Sequence, residues 1–352
     1  MDAWDMLVAK DDLRRTQIVA SDAASRELAD GEALLEVESF ALTANNITYG
    51  ALGDAFRYWK FFPAPDGWGR IPAWGFARVV RSMAADAPEG LRLFGYWPMS
   101  THHVAQLKAT PAGVVDISPH RAELPPTYNA YTPAPGDELD DHRSLLRPLF
   151  TTGWLIDDQL SEDPSLTTLV LSSASSKTAM SLAWCARRRE LRVVGLTSGR
   201  SVELLNGLRL YDDVLPYEAA GQLTADGRAV YVDFASLADV TAAVHRALGA
   251  ALTRSVIVGL THWESANSGA PPPDVGPAPA VFFAPDQVQK RLKDWGPETF
   301  QQRYTEALRG FVADSPWLKL RHHQGAEALQ ALYADVVEGR VRPDEGHILR
   351  PR

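Results

Sequence analysis

The sequence predicts an α/β protein of two domains, one β-rich and one built on a doubly wound parallel sheet. Short strand-like runs without helical spacing crowd the first third of the chain, whereas from Leu169 onward apolar runs alternate with helical stretches. Two Pro-rich segments, residues 124–141 and 268–280, punctuate the sequence. Pro and Gly at such density oppose helix and sheet, so both read as loops or boundaries.

The bulk numbers agree with this picture. A length of 352 residues suits two domains, and 45% hydrophobic with 22% charged residues allows a core of useful size. The net charge of −9 argues against a nucleic-acid partner, which would need clustered Lys and Arg. The one basic run, Arg187-Arg188-Arg189, falls where a helix is expected to end, and cations there complement the helix dipole. The single cysteine, Cys185, excludes a disulfide within the chain and a Cys-rich zinc site. No apolar stretch approaches membrane-spanning length, and MDAWDMLVAKDDLRR lacks the apolar core of a signal peptide. The expectation is a cytoplasmic protein with no membrane contact.

In order, residues 33–42 (ALLEVESFAL) alternate apolar and polar like a half-buried strand, and residues 76–81 and 103–107 are further strand candidates. Residues 169–171 form a short apolar run. A stretch with Ala179, Leu182, Ala183 and Ala186 at helical spacing follows it. Residues 191–196, 230–234 and 255–260 read as three more strands, with helical spacing over 237–248 and a helix opening near 202–205. Continuous apolar strands alternating with helices imply a parallel sheet buried on both faces. Residues 281–283 then form another apolar run, and helices are expected over 297–313 and 326–338.

In a doubly wound sheet the ligand lies at the carboxyl ends of the strands. The turn after the first strand is Ser172-Ser173-Ala174-Ser175-Ser176-Lys177-Thr178-Ala179. A Gly-rich fingerprint would normally sit there, letting backbone approach a pyrophosphate. Hydroxyls of Ser173, Ser175, Ser176 and Thr178 substitute in part, as helix caps or phosphate ligands, and Lys177 adds a cation. A plain N-cap turn without ligand is the competing reading. The second strand leads into Thr197-Ser198-Gly199-Arg200-Ser201, with no carboxylate for a free ribose. A guanidinium among hydroxyls suits a 2′-phosphate, so Ser198 and Arg200 point to NADP(H); a solvated loop arginine is the alternative.

Over most of its length the chain resembles the medium-chain dehydrogenase/reductase superfamily, particularly its zinc-free quinone and enoyl reductases. GEALLEVESFALTANNITYGALG is similar to the opening strand and active-site segment of that family's GroES-like domain. IPAWGFARVVRS and RLFGYWPMSTHHVAQ resemble its later strands, and TTLVLSSASSKTAMSLAWCARRRELRVVGLTSGRSVELLNGLRLYDDVLPYE resembles its first cofactor-binding unit. GAEALQALYADVVEGRVRPDEGHILRP looks like the C-terminal helix and strand that return to the GroES-like domain. The resemblance implies a GroES-like catalytic domain over 1–145, rejoined by 317–352, and a Rossmann-type cofactor domain over 146–316. It matches Tyr217 to a family tyrosine near the adenosine phosphate, and Gly259 joins the expected cofactor contacts. It also implies a homodimer paired through the edge of the cofactor sheet, with Val281-Phe282-Phe283 as that edge. The serine-for-glycine loop marks a divergent branch, and no substrate carries over.

Zinc-dependent members place a cysteine in the active-site strand segment, which here reads Thr43-Ala44-Asn45-Asn46. His102 and His103 are adjacent, so they would face opposite sides of a strand and form no metal pair. No metal is therefore expected. The resemblance implies hydride transfer to an activated C=C or a quinone, and the developing enolate needs a hydrogen-bond donor. Tyr49 is the candidate, with Asn45 and Asn46 beside it, against the alternative of a packed strand-end tyrosine. The aromatic segment 56–62, with Trp68 and Trp74, reads as a pocket rim or as core. Two other functions stay open: a non-catalytic binder of a nucleotide or small ligand, and a non-redox lyase or isomerase.

Overall fold

The computed structural model describes residues 3–258 and 275–352. The chain divides into two compact units, Met1–Arg147 with Leu318–Arg352, and Pro148–Trp317.

The first unit is a closed sheet. Strands β3 (Glu32–Leu42), β5 (Pro72–Ser82), β6 (Arg92–Pro98), β9 (Ala130–Pro133), β8 (Gly113–Asp116) and β7 (His102–Thr110) follow one another, and β7 pairs back onto β3. Strands β17 (Glu345–Arg350) and β16 (Lys319–Gln324) extend the sheet from β3. Leu35 and Val37 of β3 point into the core, as alternation requires, and an irregularity between Val37 and Ser39 shifts the phase so that Phe40 does too. The strands approach closely at two glycines. A Cβ on Gly75 would stand 2.0 Å from the Ser39 carbonyl oxygen, and one on Gly95 2.1 Å from the Tyr131 ring. Tyr131 stacks on Trp97 at 4.4 Å, and Trp97 donates its indole N–H to the Gly75 carbonyl at 3.0 Å.

At the N-terminus β1 (Trp4–Ala9) pairs with β2 (Thr16–Ala20) and with β4 (Trp68–Gly69). Residues 43–46, expected in a strand segment, instead open a helix. Helix α1 (Ala44–Ala51) starts there because Thr43 and Asn46 form a capping box. Tyr49 is therefore a helical residue.

A buried ion pair lies against this barrel. Arg121 and Asp116 have no exposed side-chain surface, and Arg121 Nε is 3.1 Å from Asp116 Oδ2. The guanidinium donates to Asn129 Oδ1 at 3.3 Å and Tyr131 Oη at 3.1 Å, and it lies over the Phe62 and Phe61 rings at 4.7 and 5.4 Å. Burial alone would raise the Asp116 carboxyl. The neighbouring His103 and Arg121 outweigh it and hold the group well below the usual carboxylate range. Burial pushes the His103 imidazole down to about 4.

The second unit carries a six-stranded parallel sheet in the order β12 (Asp213–Pro216), β11 (Arg192–Thr197), β10 (Leu166–Leu171), β13 (Arg228–Asp233), β14 (Leu252–Val258), β15 (Ala280–Phe282). This is the doubly wound order, which reverses direction between β10 and β13. Val170, Val194, Val230 and Val256 are buried, as strands covered on both faces should be. Helices α3 (Lys177–Arg187), α4 (Gly199–Leu208), α5 (Ala238–Leu248), α6 (Ala284–Trp295) and α7 (Pro297–Ala313) belong to this unit, and α8 (Gly325–Val337) to the first. Arg187 closes α3, where the basic run was expected to complement the dipole.

Two helices have no counterpart in the sequence reading. One is α2 (Asp140–Leu160), which opens on Asp140 and Asp141 and carries Pro148 inside it. Acidic residues in a first turn are favourable, but a Pro-rich stretch before it and a proline within it obscure the helical spacing. The other is α6. The fourth-strand expectation over 255–260 and the second Pro-rich segment both run partly outside the described residues, as does Gly259. Among the described residues no helix is long and apolar enough to cross a membrane.

The buried cluster makes stability depend on pH with a definite sign. Between the ordinary histidine value near 6.5 and about 4, the unfolded chain binds a proton at His103 that the folded chain refuses, so acidification destabilises the fold. Denaturant titrations across that window should show stability falling with pH. His103→Gln should flatten the slope by up to about 1.4 kcal/mol per pH unit. Asp116→Asn, which strands the Arg121 charge, should cost about 3–5 kcal/mol at neutral pH.

Candidate functional site

The first unit gathers four tyrosines around α1. Because α1 is a helix, Asn45 and Tyr49 stand four residues apart on one face. Asn45 Nδ2 donates to Tyr49 Oη at 2.7 Å, and Trp74 Nε1 donates to the same oxygen at 3.4 Å. With both lone pairs engaged, the Tyr49 proton is left to be donated elsewhere. Tyr49 packs against Tyr58 at 4.7 Å and edge-on to Tyr96 at 5.4 Å, and Tyr96 meets Tyr128 at 4.7 Å. Burial raises the phenol of Tyr49, and that of Tyr58 to about 12, so both stay protonated at neutral pH. The Tyr96 hydroxyl is fully buried beside Tyr49 without a well-formed hydrogen bond.

Asn46 has a different place. Its Oδ1 accepts the Thr43 N–H at 2.8 Å, and its Nδ2 donates to the Pro72 carbonyl at 2.9 Å. Those bonds commit it to holding α1 against β5. The aromatic segment 56–62 splits between the two roles open to it. Phe61 and Phe62 are core, whereas Phe56 and Tyr58 keep part of their surface, as does Trp74. Tyr96 and Tyr128 are site residues that no local motif marks. They come from β6 and from the first Pro-rich segment, and only closure of the barrel brings them to α1. A concavity of about 870 Å³ on this unit, lined by Trp4, Gln324, Glu327, Gln330 and Arg352 among others, contains none of these tyrosines.

His103 lies beside the Asp116–Arg121 pair, and His102 Nδ1 is 3.0 Å from Thr101 Oγ1. Among the described residues no group of three or more His, Cys, Asp or Glu side chains is placed to hold a metal ion.

The second site lies at the carboxyl end of β10, where the sheet reverses. Ser172 donates to Asp233 Oδ1 at 2.6 Å and accepts the Phe234 and Ala235 N–H groups at 2.8 and 3.0 Å. Asp233 also accepts the Ala235 and Ser236 N–H groups and the Thr241 hydroxyl, each at 2.9–3.0 Å. Its negative charge is thereby enclosed by donors. Ser173 follows with φ of +46°, a left-handed conformation that favours glycine. A serine therefore holds a backbone shape that the usual fingerprint assigns to glycine. The Ser173 N–H donates to Tyr217 Oη at 3.2 Å, which brings the tyrosine onto the loop. Ser176 caps α3, accepting the Ala179 N–H at 3.2 Å, and its own O–H still has a proton to give. Thr197 donates to Ser175 Oγ at 3.4 Å, linking the loop to the end of β11. Lys177 and Thr178 form the first turn of α3 and are half-buried.

The end of β11 is chemically distinct. Ser198 precedes α4 but makes no capping bond, and Arg200 is exposed in the first turn. Among the described residues Arg200 forms no ion pair, although the neighbouring Arg187 and Arg192 are paired with Asp212 and Asp213. No carboxylate stands among residues 197–201. Elsewhere in this unit Cys185 is buried on α3, and burial drives its thiol well up, so it is a packed and unreactive group.

A family model described as "Protein of unknown function (DUF2855)" matches residues 40–342. No curated protein matches the chain. Among solved structures the chain is similar to CurA from Vibrio vulnificus in complex with NADPH, with a TM-score of 0.64 and 14% identity over 99% of each chain. It is similar to a mutant enoyl thioester reductase from Candida tropicalis, with a TM-score of 0.57 and 11% identity over 99% of this chain and 100% of that one. It is also similar to Etr1p in a complex with NADP and crotonyl-CoA, with a TM-score of 0.56 and 12% identity over 99% of each chain. At these identities the likeness shows the fold, a GroES-like barrel and a Rossmann-type sheet in one chain, as in medium-chain dehydrogenases/reductases.

The serine at φ of +46° gives a direct test of the loop. Ser173→Gly should remove the left-handed strain and raise unfolding free energy by up to about 1 kcal/mol, net of the added freedom of the unfolded chain. A urea titration of both proteins measures it, and a loss of stability would contradict the assignment.

Proposed function

The chain belongs to the DUF2855 family, and we propose that this member is an NADP(H)-dependent oxidoreductase that passes hydride to an activated C=C or quinone-like acceptor without a metal. The observation that carries the reading is the end of β11, where an exposed Arg200 with no ion-pair partner among the described residues stands beside a Ser198 hydroxyl that makes no capping bond. A 2′-phosphate matches those donors, whereas a free ribose would call for a carboxylate. Ser175, Ser176 and the N-terminus of α3 are the groups that would hold the pyrophosphate, with Lys177 and Thr178 in that first turn and Ser173 shaping the loop. Tyr217 already touches the loop through Ser173 and belongs to the same site. Gly259 lies outside the described residues.

When bound, the cofactor supplies the hydride; the chain supplies position and a hydrogen-bond donor. Tyr49 fits the donor role. Asn45 and Trp74 orient its oxygen, and burial keeps its proton in place. A hydroxyl so held stabilises negative charge on an acceptor oxygen as that charge develops. The segment 43–46 offers no thiolate to a zinc ion, so the acceptor would be polarised by hydrogen bonding.

A second reading, a nucleotide binder without turnover, is favoured by the loop itself. The Ser173 N–H is taken by Tyr217 and the Ser176 oxygen by α3, so the loop is partly closed on protein partners.

We also propose a homodimer. Strand β15 is hydrogen-bonded only to β14 among the described residues, and Val281 and Phe283 are 55% and 53% exposed. An apolar sheet edge of this kind is covered or prone to aggregation. Light scattering at micromolar concentration should report twice the chain mass, and a stable monomer would contradict the proposal.

Calorimetric titration should show tighter binding of NADPH than of NADH. Arg200→Ala should weaken NADPH by roughly ten- to a hundredfold and barely change NADH, since hydrogen bonds to charged groups contribute about 1.5–3 kcal/mol. Equal wild-type affinities would overturn the 2′-phosphate site. Tyr49→Phe should lower the turnover rate while leaving cofactor affinity nearly unchanged, and an unaltered rate would return Tyr49 to a packing role.

A further inference from the structure

The second unit has a concavity of about 460 Å³ that the oxidoreductase reading does not use. It lies among the C-terminal half of α2, the end of α3 and the α6–α7 helix pair, and its volume falls within the roughly 300–1,000 Å³ of small-molecule sites. Trp154, Trp184 and Trp295 line it. The indoles of Trp154 and Trp295 keep part of their surface exposed. The Trp184 indole N–H is spent on Asp314 at 3.0 Å, whereas those of Trp154 and Trp295 have no hydrogen-bond partner among the described residues.

The charges around these rings divide into two groups. Asp157 is paired with Arg189 at 2.6 Å, Asp158 with Arg291 at 2.5 Å, and Arg188 with Asp314 at 3.6 Å. Two exposed groups are left over. Arg303 lies over the Trp295 ring at 4.4 Å and has no carboxylate partner among the described residues. Glu306, three residues further along α7, has no cationic partner among them either, and the two are not bonded to each other. One unmatched cation and one unmatched anion therefore flank an indole-lined floor.

We propose that this concavity binds a zwitterionic aromatic ligand with the charge pattern of an aromatic α-amino acid. The ring would lie against the exposed part of Trp154, since guanidinium groups already lie over Trp295 (Arg303 at 4.4 Å, Arg291 at 5.0 Å) and over Trp184 (Arg188 at 4.8 Å); the carboxylate would meet Arg303 and the ammonium Glu306. A purely anionic ligand would face Glu306, and a purely cationic one Arg303, so each loses one contact and gains a repulsion. The site is separate from the β10–α3 loop and does not depend on a nucleotide being bound.

Calorimetry on the full chain with L-tryptophan, tryptamine and indole-3-propionate tests this. L-Tryptophan should bind best, at millimolar affinity or tighter, with and without saturating NADPH. Arg303→Gln should weaken L-tryptophan about tenfold, the worth of one charge-assisted contact, and spare tryptamine. Glu306→Gln should weaken L-tryptophan by a similar factor and spare indole-3-propionate. Both residues are exposed, and unchanged circular dichroism of the variants would separate lost binding from lost folding. No saturable heat with L-tryptophan, equal binding of all three ligands, or competition by NADPH would each overturn the proposal.

Discussion

The hydrogen bond from Ser172 to Asp233 ties the ends of β10 and β13 where the parallel sheet reverses direction. In any doubly wound sheet the strands part at this point and leave a crevice. Here a buried carboxylate occupies the seam, and its charge is tolerable only because hydroxyl and backbone donors surround it. Two of those donors are N–H groups just after β13 and one is the Thr241 hydroxyl of α5, so the bonds also shape the turn that leads to α5. With Ser172 fixed, Ser173 takes a left-handed conformation and the chain enters α3 at Lys177. The loop thus reaches by side-chain bonding a compact turn for which glycines are the usual means. The consequence for function is that fewer backbone groups of the loop are uncommitted, and recognition shifts toward hydroxyls and toward Arg200.

The first unit has its own organising charge. Arg121 is wholly buried, paired with Asp116, and its guanidinium lies over Phe61 and Phe62. Phe61 meets Tyr96 edge-on at 5.4 Å, and Tyr96 in turn meets Tyr49. A chain of ring contacts therefore connects the ion pair to the hydroxyl proposed to act on an acceptor. Such a pair gains little net stability over an apolar replacement but loses heavily if one partner is removed. Its value here is to fix the aromatic rings in one arrangement, which leaves the Tyr49 oxygen held by Asn45 and Trp74 rather than free to rotate.

Much of the fold class was legible, because it rests on local periodicity. The alternation in 33–42, the apolar runs of β10, β11 and β13, and the helical stretch at 297–313 each record their element without distant help. Two misreadings have local causes. Thr43 and Asn46 form a capping box with Asn in place of the usual Glu or Gln, so local pattern does not announce α1. Pro148 and the Pro-rich approach hid α2. The site was legible only where it is local. Once α1 is known to be helical, the four-residue spacing of Asn45 and Tyr49 puts them in contact. The Ser172–Asp233 bond joins residues 61 apart, and Tyr49 meets Trp74 and Tyr96, and Tyr96 meets Tyr128, only through barrel closure. No periodicity records contacts of that range.

Loss of the near-ultraviolet absorbance of NADPH measures most directly whether the chain is a working reductase. Purified protein incubated with NADPH and a panel of enones, enoyl thioesters and quinones should consume the cofactor with at least one acceptor class, and faster than it consumes NADH. Folded protein that leaves both cofactors untouched against every acceptor would contradict the account and favour a nucleotide binder without turnover.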